Sequence, residues 1–130
     1  MANLLCLLLE IMDAKKVVEV GVFRGTTTLA FAICLDGLNK KRPGQIRTVI
    51  CLDVSSEYAE TGQSYWKESG VDHLIDLRIG DAKLSLTTLL EEQDYGEESV
   101  DLCFIDADKL RWLLRKMFKT DQERRFDCGW

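Results

Sequence analysis

The sequence lacks the features that mark several large classes of protein. Its 130 residues include a single proline, and no repeat, low-complexity tract or linker interrupts them, so one domain is expected. The apolar run at residues 4–12 is broken by Glu10 and is too short to cross a bilayer. Because that run has neither a basic start nor a small-residue cleavage site, it does not predict a signal peptide. We therefore expect a cytoplasmic protein without a membrane segment.

The cysteines show no metal-binding pattern. The five of them, at positions 6, 34, 51, 103 and 128, form no C-x-x-C pair and no spacing typical of a metal site. An odd count without a secretory signal predicts reduced thiols. Cys51 and Cys103 lie inside apolar runs, which predicts that they are buried as small hydrophobic side chains.

An excess of basic residues is also missing. The chain has 22 acidic and 17 basic residues, a formal net charge of −5, whereas nucleic-acid binding usually needs a basic face. No nucleic-acid partner is therefore expected. The charge is uneven, because residues 1–110 carry 19 acidic and 11 basic side chains and residues 111–130 carry 3 and 6. Hydrophobic residues make up 46% of the chain, which is enough for a buried core.

Helical and strand patterns alternate along the chain. Helices are predicted over residues 3–13, 27–35, 57–69 and 84–92, and strands over residues 17–21, 48–54, 73–79 and 100–106. The second helix is expected to end before Gly37. The strands are continuously apolar, which is typical of a parallel sheet covered by helices on both faces. The predicted fold class is α/β with a doubly wound parallel sheet.

Acidic residues recur where the predicted strands end. In open α/β sheets, ligands bind beyond the carboxyl ends of the strands, so these residues are candidates for one shared crevice. They are Glu19, Asp53, Asp81, Asp106 and Asp108. Any one of them alone would usually be a helix cap, but their recurrence at successive strand ends favours a binding site.

The first turn after a strand contains two glycines. Gly21 and Gly25 stand four apart, which differs from the G-x-G-x-x-G of dinucleotide sites, and glycine spacing alone is common in tight turns. Glu19 would repel a pyrophosphate but could accept hydrogen bonds from an ammonium group. Asp53 could take both hydroxyls of a ribose. A nucleoside bearing an amino acid fits these charges better than NAD does, which disfavours a nicotinamide-dependent oxidoreductase.

These motifs together resemble a known family. They are Glu19-x-Gly21-x-x-x-Gly25, Asp53, Gly80-Asp81-Ala82 and Phe104-Ile105-Asp106-Ala107-Asp108-Lys109. Over roughly residues 4–110 the chain is similar to S-adenosylmethionine-dependent O-methyltransferases, in particular the cation-dependent caffeoyl-CoA type, related to catechol O-methyltransferase. The resemblance implies a Rossmann-like methyltransferase domain over residues 1–119, with only the first four strands of its sheet.

The resemblance also implies roles for individual residues. The methionine part of the cofactor would lie against Glu19, Gly21, Gly25 and Thr27, the ribose against Asp53, and the adenine against Asp81 and Ala82. Asp106 would touch the methionine end and bind a divalent cation, Mg²⁺ or Ca²⁺. Lys109 would be the general base for the acceptor hydroxyl. The alternatives are a helix cap for Asp106 or Asp108 and a solvated surface charge for Lys109.

After Lys109 the sequence departs from the family pattern. Leu110-Arg111-Trp112 stands where the family has Asn-Tyr, and the Asp-Asn pair of the family's metal site does not follow. We therefore expect a truncated or altered member, with an amphipathic helix at residues 110–118 and a disordered tail at residues 120–130. Strand four would then be an exposed edge, which favours a homodimer or another association.

The function implied by the resemblance is methyl transfer to a small hydroxyl acceptor, such as a phenol or catechol, with help from the cation. The alternative is a catalytically inactive form that binds the cofactor or a partner.

Overall fold

The computed structural model describes residues 2–96 and 98–107. Helices and strands alternate along this part of the chain, as predicted. The helices are α1 (Ala2–Met12), α2 (Thr26–Lys41), α3 (Ser56–Glu68) and α4 (Ala82–Glu91), and the strands are β1 (Lys16–Val20), β2 (Thr48–Asp53), β3 (Ile75–Ile79) and β4 (Leu102–Ile105). Asp108, Lys109, the predicted helix at 110–118 and the predicted tail at 120–130 lie outside the described residues.

The four strands form one parallel sheet in the order β3-β2-β1-β4. The chain moves from β1 to β2 and β3 on one side and then returns to place β4 on the other side of β1. The strand order therefore reverses between β1 and β4, and ligands of open α/β sheets bind at the carboxyl ends beside such a reversal. The predicted α/β class with a parallel sheet is confirmed.

The two faces of the sheet are covered by different helices. On one face, Leu9 of α1, Phe31 of α2 and Trp66 of α3 belong to one buried cluster with Val17 of β1. On the other face, Leu89 of α4 joins Val18, Val20 and residues of β2. Side chains alternate across a strand, so Glu19 points to the same face as Val17, among apolar residues. This face carries the helix that follows the glycine turn.

The predicted end of α2 was wrong. The helix runs through Gly37 and ends at Lys41. Leu38 is buried, and the side-chain amide of Asn39 donates to and accepts from the backbone of Arg47. These contacts offset the cost of a glycine inside a helix, which is about 1 kcal/mol.

The prediction of reduced cysteines was wrong for one pair. Cys6 of α1 and Cys34 of α2 form a disulfide with their Cα atoms 5.8 Å apart. The two helices pack side by side and bring together positions 28 residues apart, which cysteine spacing does not reveal. Cys51 is a buried thiol, as predicted, whereas Cys103, which was also predicted to be buried, is half-buried.

No helix within the described ranges is both long enough and apolar enough to cross a membrane.

Candidate functional site

The turn between β1 and α2 lies at the reversal point of the sheet and needs both of its glycines. Gly21 has a φ of +91° and Gly25 a φ of +71°, where side chains are strained. A Cβ on Gly21 would lie 2.4 Å from the carbonyl oxygen of Asp106, and one on Gly25 would lie 2.6 Å from the ring of Trp66. The turn is therefore enclosed by the end of β4 on one side and by α3 on the other. Both contacts demand a residue without a side chain.

Asp53, at the end of β2, holds this turn in place. One carboxylate oxygen accepts hydrogen bonds from the backbone N–H groups of Val22, at 2.7 Å, and Phe23, at 2.9 Å. The other oxygen accepts from the N–H of Ser55 at 2.9 Å. Burial raises the pKa of Asp53, but the backbone donors outweigh burial and keep the pKa below its usual value. A carboxylate has about four acceptor positions, so about one remains for a ligand.

Glu19 is a buried carboxylate next to the same turn, with 1% of its surface exposed. The hydroxyl of Thr28 donates a hydrogen bond to its Oε2, and the Sγ of Cys51 lies 3.6 Å from the same oxygen. The pKa of Glu19 is raised to about 7, chiefly by burial and also by the nearby charges of Asp106 and Asp53, while the two hydrogen bonds oppose the rise. Among residues 2–96 and 98–107 the side chains bonded to this carboxylate are Thr28 and Cys51, both uncharged, so a cation placed beside Glu19 would be attracted to it.

The acidic residues at the other strand ends differ in role. Asp81 caps α4, since its side chain accepts a hydrogen bond from the N–H of Leu84 at 3.0 Å, and Ala82 is the first residue of that helix. Asp106 is exposed, and its N–H donates to the carbonyl of Val20 at 2.8 Å, which places it directly beside the end of β1. The cap interpretation thus holds for Asp81, whereas the backbone of Asp106 lies next to Gly21.

The structure therefore brings most of the predicted residues to one edge of the sheet. Glu19, Asp53 and Asp106 surround Gly21 closely enough for their charges to interact. The N–H of Gly80 donates to the carbonyl of Asp53 at 2.8 Å and joins the end of β3 to the group. Thr27 lies half-buried in the first turn of α2.

A family model described as O-methyltransferase matches residues 1–118. This chain belongs to the O-methyltransferase family. A probable caffeoyl-CoA O-methyltransferase 2 of Dictyostelium discoideum is 38% identical over 104 residues, which are 79% of this chain and 40% of the relative. Tricin synthase 2 of Oryza sativa subsp. japonica is 40% identical over 107 residues, 82% of this chain and 34% of the relative. The chain thus spans about 40% or less of the length of these curated relatives.

Solved structures support the same family and fold. The O-methyltransferase TomG of Streptomyces achromogenes, in complex with SAM, has a TM-score of 0.72 and 27% identity, covering 91% of this chain and 47% of its own. An O-methyltransferase of Bacillus cereus, in complex with SAH, has a TM-score of 0.68 and 28% identity, covering 83% and 44%. The described sheet of this family member is the first four strands of a Rossmann-like methyltransferase fold.

The described residues do not build a metal site. No three His, Cys, Asp or Glu side chains within residues 2–96 and 98–107 come close enough to hold an ion. Asp106 is the one predicted ligand in this part of the chain, and a hard cation such as Mg²⁺ needs several oxygen ligands. The divalent cation and the role of Asp106 as its ligand therefore stay predictions.

The sequence analysis missed three residues of this candidate site. Thr28 and Cys51 contact the Glu19 carboxylate, and Trp66 closes the turn by donating its ring N–H to the carbonyl of Gly25 at 3.1 Å. The register of the sheet pairs Glu19 with Cys51, so alternation along paired strands could have found that residue. No local pattern in the sequence links Trp66 to Gly25, because 41 residues separate them.

Proposed function

We propose that this chain binds S-adenosylmethionine at the carboxyl edge of its sheet, and that the protein transfers the methyl group to a small hydroxyl acceptor. The observation that carries this proposal is the buried carboxylate of Glu19 beside the enclosed glycine turn. A buried carboxylate whose side-chain partners in the described part of the chain, Thr28 and Cys51, are both uncharged is suited to an ammonium group. The solved relatives that are bound to SAM or SAH support the choice of cofactor.

Each part of the cofactor has candidate residues in the crevice. Glu19 would accept the ammonium group, with Thr27 and the backbone of Gly21 and Gly25 along the methionine chain. The remaining acceptor position of Asp53 would take a ribose hydroxyl. The adenine would lie between two exposed apolar side chains at the ends of β2 and β3, Val54 and Ile79, and the half-buried Ala82 that follows Asp81.

The acceptor class is supported by an aromatic pair at the mouth of the turn. The rings of Phe23 and Tyr58 are 4.9 Å apart, and both side chains are exposed large hydrophobic groups. Aromatic rings stack well on other flat rings, so this pair suits a phenol or catechol. The bound cofactor supplies a methyl group on a cationic sulfur, and the acceptor hydroxyl must lose its proton as its oxygen is methylated.

Lys109, which lies outside the described residues, is proposed as the base that takes this proton. Asp106 is proposed to contact the methionine end. Its role as a ligand for Mg²⁺ or Ca²⁺ depends on further ligands that the described residues do not supply.

Calorimetry with S-adenosylhomocysteine tests the cofactor assignment. We expect the chain to bind it, and we expect Asp53→Ala to weaken binding at least tenfold, because the turn loses two hydrogen bonds, Ser55 loses one and the ribose loses an acceptor. Asp36→Ala, which removes a half-buried carboxylate paired with Lys40 on α2, is the control and should bind as the wild type does. Failure of the wild-type chain to bind would contradict the proposal.

A second candidate is a cofactor-binding form without catalytic activity. It is favoured by the absence of a cation site among residues 2–96 and 98–107. A methyl-transfer assay with catechol and Mg²⁺ separates the two candidates. Binding of S-adenosylhomocysteine together with turnover supports the enzyme, and binding without turnover supports the inactive form.

We also propose that the chain self-associates through β4. In the described part of the sheet β4 is the outermost strand, it pairs with β1 alone, and its residues Leu102–Ile105 are only half-buried. A half-buried apolar edge strand can pair with another chain. In sedimentation velocity, the average mass should rise with protein concentration toward about twice the monomer mass. A single monomeric species at every concentration would contradict the proposal.

We also propose that the protein is located in the cytoplasm.

A further inference from the structure

Two side chains from different elements converge on one oxygen of Glu19. The Thr28 hydroxyl, in the first turns of α2, donates to Oε2, and Cys51 Sγ of β2 lies 3.6 Å from Oε2 and 3.7 Å from the Thr28 hydroxyl oxygen. All three residues are buried. The other oxygen of Glu19, Oε1, accepts no hydrogen bond from the described part of the chain.

Glu19 is buried as a whole, with 1% of its surface exposed. Its carboxylate is held at Oε2 by two side chains, whereas Oε1 has no donor among the described residues. An ammonium ligand requires a fixed carboxylate with one oxygen available, and Glu19 has this arrangement.

We propose that Thr28 and Cys51 are positioning residues that hold Oε2 of Glu19, so that Oε1 is presented to the ammonium group of the cofactor's methionine portion. This inference rests on the proposed function and deepens it. Neither residue touches the cofactor in this arrangement; both act through Glu19.

The charges around Glu19 explain why the hydrogen bonds from Thr28 and Cys51 are needed. Asp53 and Asp106 face the carboxylate from the ends of β2 and β4, and both disfavour its ionised form. The hydrogen bonds from Thr28 and Cys51 favour that form. Without them, the side chain would be free to rotate and would keep its proton to a higher pH. Both effects would weaken the attraction for a cationic amine.

A pair of ligands distinguishes positioning from a general effect on folding. S-adenosylhomocysteine carries the amino-acid portion, whereas 5′-methylthioadenosine carries the same nucleoside and thioether without it. Thr28→Val keeps the shape of the side chain but removes the donor. We expect this variant to bind S-adenosylhomocysteine on the order of tenfold more weakly and to bind 5′-methylthioadenosine as the wild type does.

Three further variants complete the experiment. Thr28→Ser restores the hydroxyl and should restore affinity for S-adenosylhomocysteine to within about twofold. Cys51→Ala should cause a smaller loss than Thr28→Val, because a thiol is a weak donor. Thr88→Val, at an exposed threonine of α4, is the control and should leave both affinities unchanged.

The outcomes distinguish failure of the positioning role from failure of the proposed function. If the wild type binds S-adenosylhomocysteine but Thr28→Val weakens both ligands equally, or neither, the positioning role is wrong and the proposed function stands. If the wild type binds no S-adenosylhomocysteine, the proposed function fails and the positioning role fails with it. Binding of 5′-methylthioadenosine by Thr28→Val shows in the same titration that the variant is folded.

Discussion

Gly21→Ala is expected to lower the free energy of unfolding by about 3 kcal/mol or more. The new Cβ would lie 2.4 Å from the carbonyl oxygen of Asp106, at a φ of +91° that disfavours any side chain. Neither backbone can move away easily, because the Gly21 N–H donates to Leu52 and the Asp106 N–H donates to Val20. Relief of the clash would separate β1 from β4. Urea unfolding followed by circular dichroism measures the loss.

Gly37→Ala is the matched control for this experiment. Gly37 lies inside α2, and an added Cβ there would meet nothing within 4 Å. We expect this variant to be more stable than the wild type by about 0.5–1 kcal/mol, because alanine favours a helix over glycine. If Gly21→Ala lowers the free energy of unfolding and Gly37→Ala raises it, the destabilisation is specific to the turn. Equal stability of Gly21→Ala and the wild type would show that β4 does not approach Gly21 as described.

Glu19→Gln is expected to change how stability depends on pH. Glu19 has its pKa raised from 4.5 to about 7 in the folded chain. Below pH 4.5 the carboxyl is protonated in both states, so its contribution to stability is fully present there. As the pH rises from 4.5 to 7 the unfolded chain releases the proton first, and this contribution is lost. The difference in pKa corresponds to about 3 kcal/mol.

Denaturant unfolding of both proteins between pH 4 and pH 8 tests this prediction. The stability of Glu19→Gln relative to the wild type should rise by about 3 kcal/mol over that range. Glu60→Gln, on an exposed position of α3, controls for the loss of one carboxylate. A difference between Glu19→Gln and the wild type that does not change with pH would mean that Glu19 is not buried beside Thr28 as described. The same variant should bind S-adenosylhomocysteine poorly, since an amide does not attract an ammonium group.

The sequence predicted the elements of the fold because their signals are local. Each strand is a short continuous apolar run, and each helix carries an apolar stripe, so alternation alone indicated a parallel sheet. The errors occurred where distant contacts decide the outcome. Helix α2 continues past Gly37 because Leu38 is buried and Asn39 holds the backbone of Arg47. The disulfide between Cys6 and Cys34 depends on the packing of two helices.

The sequence predicted which residues lie together at the site, but it did not predict the contacts that each of them makes. The acidic strand ends converge because parallel strands place their carboxyl ends along one edge, and Glu19, Asp53 and Asp106 do meet there. Asp53 was expected to face a ribose, yet most of its acceptor capacity is used by the backbone N–H groups of Val22, Phe23 and Ser55. Hydrogen bonds of this kind depend on backbone geometry that side-chain patterns do not encode. The same applies to Trp66, whose contact with Gly25 spans α3 and the turn.

The hydrogen bonds between Asp53 and the turn also bear on the entropy of association. Ordering a backbone residue costs about 1–2 kcal/mol of conformational entropy. Here the N–H groups of Val22 and Phe23 are already fixed by the end of β2, so that cost falls on folding of the chain and not on capture of a ligand. A small molecule that enters the crevice meets a preorganised surface, and more of its contact energy remains as affinity.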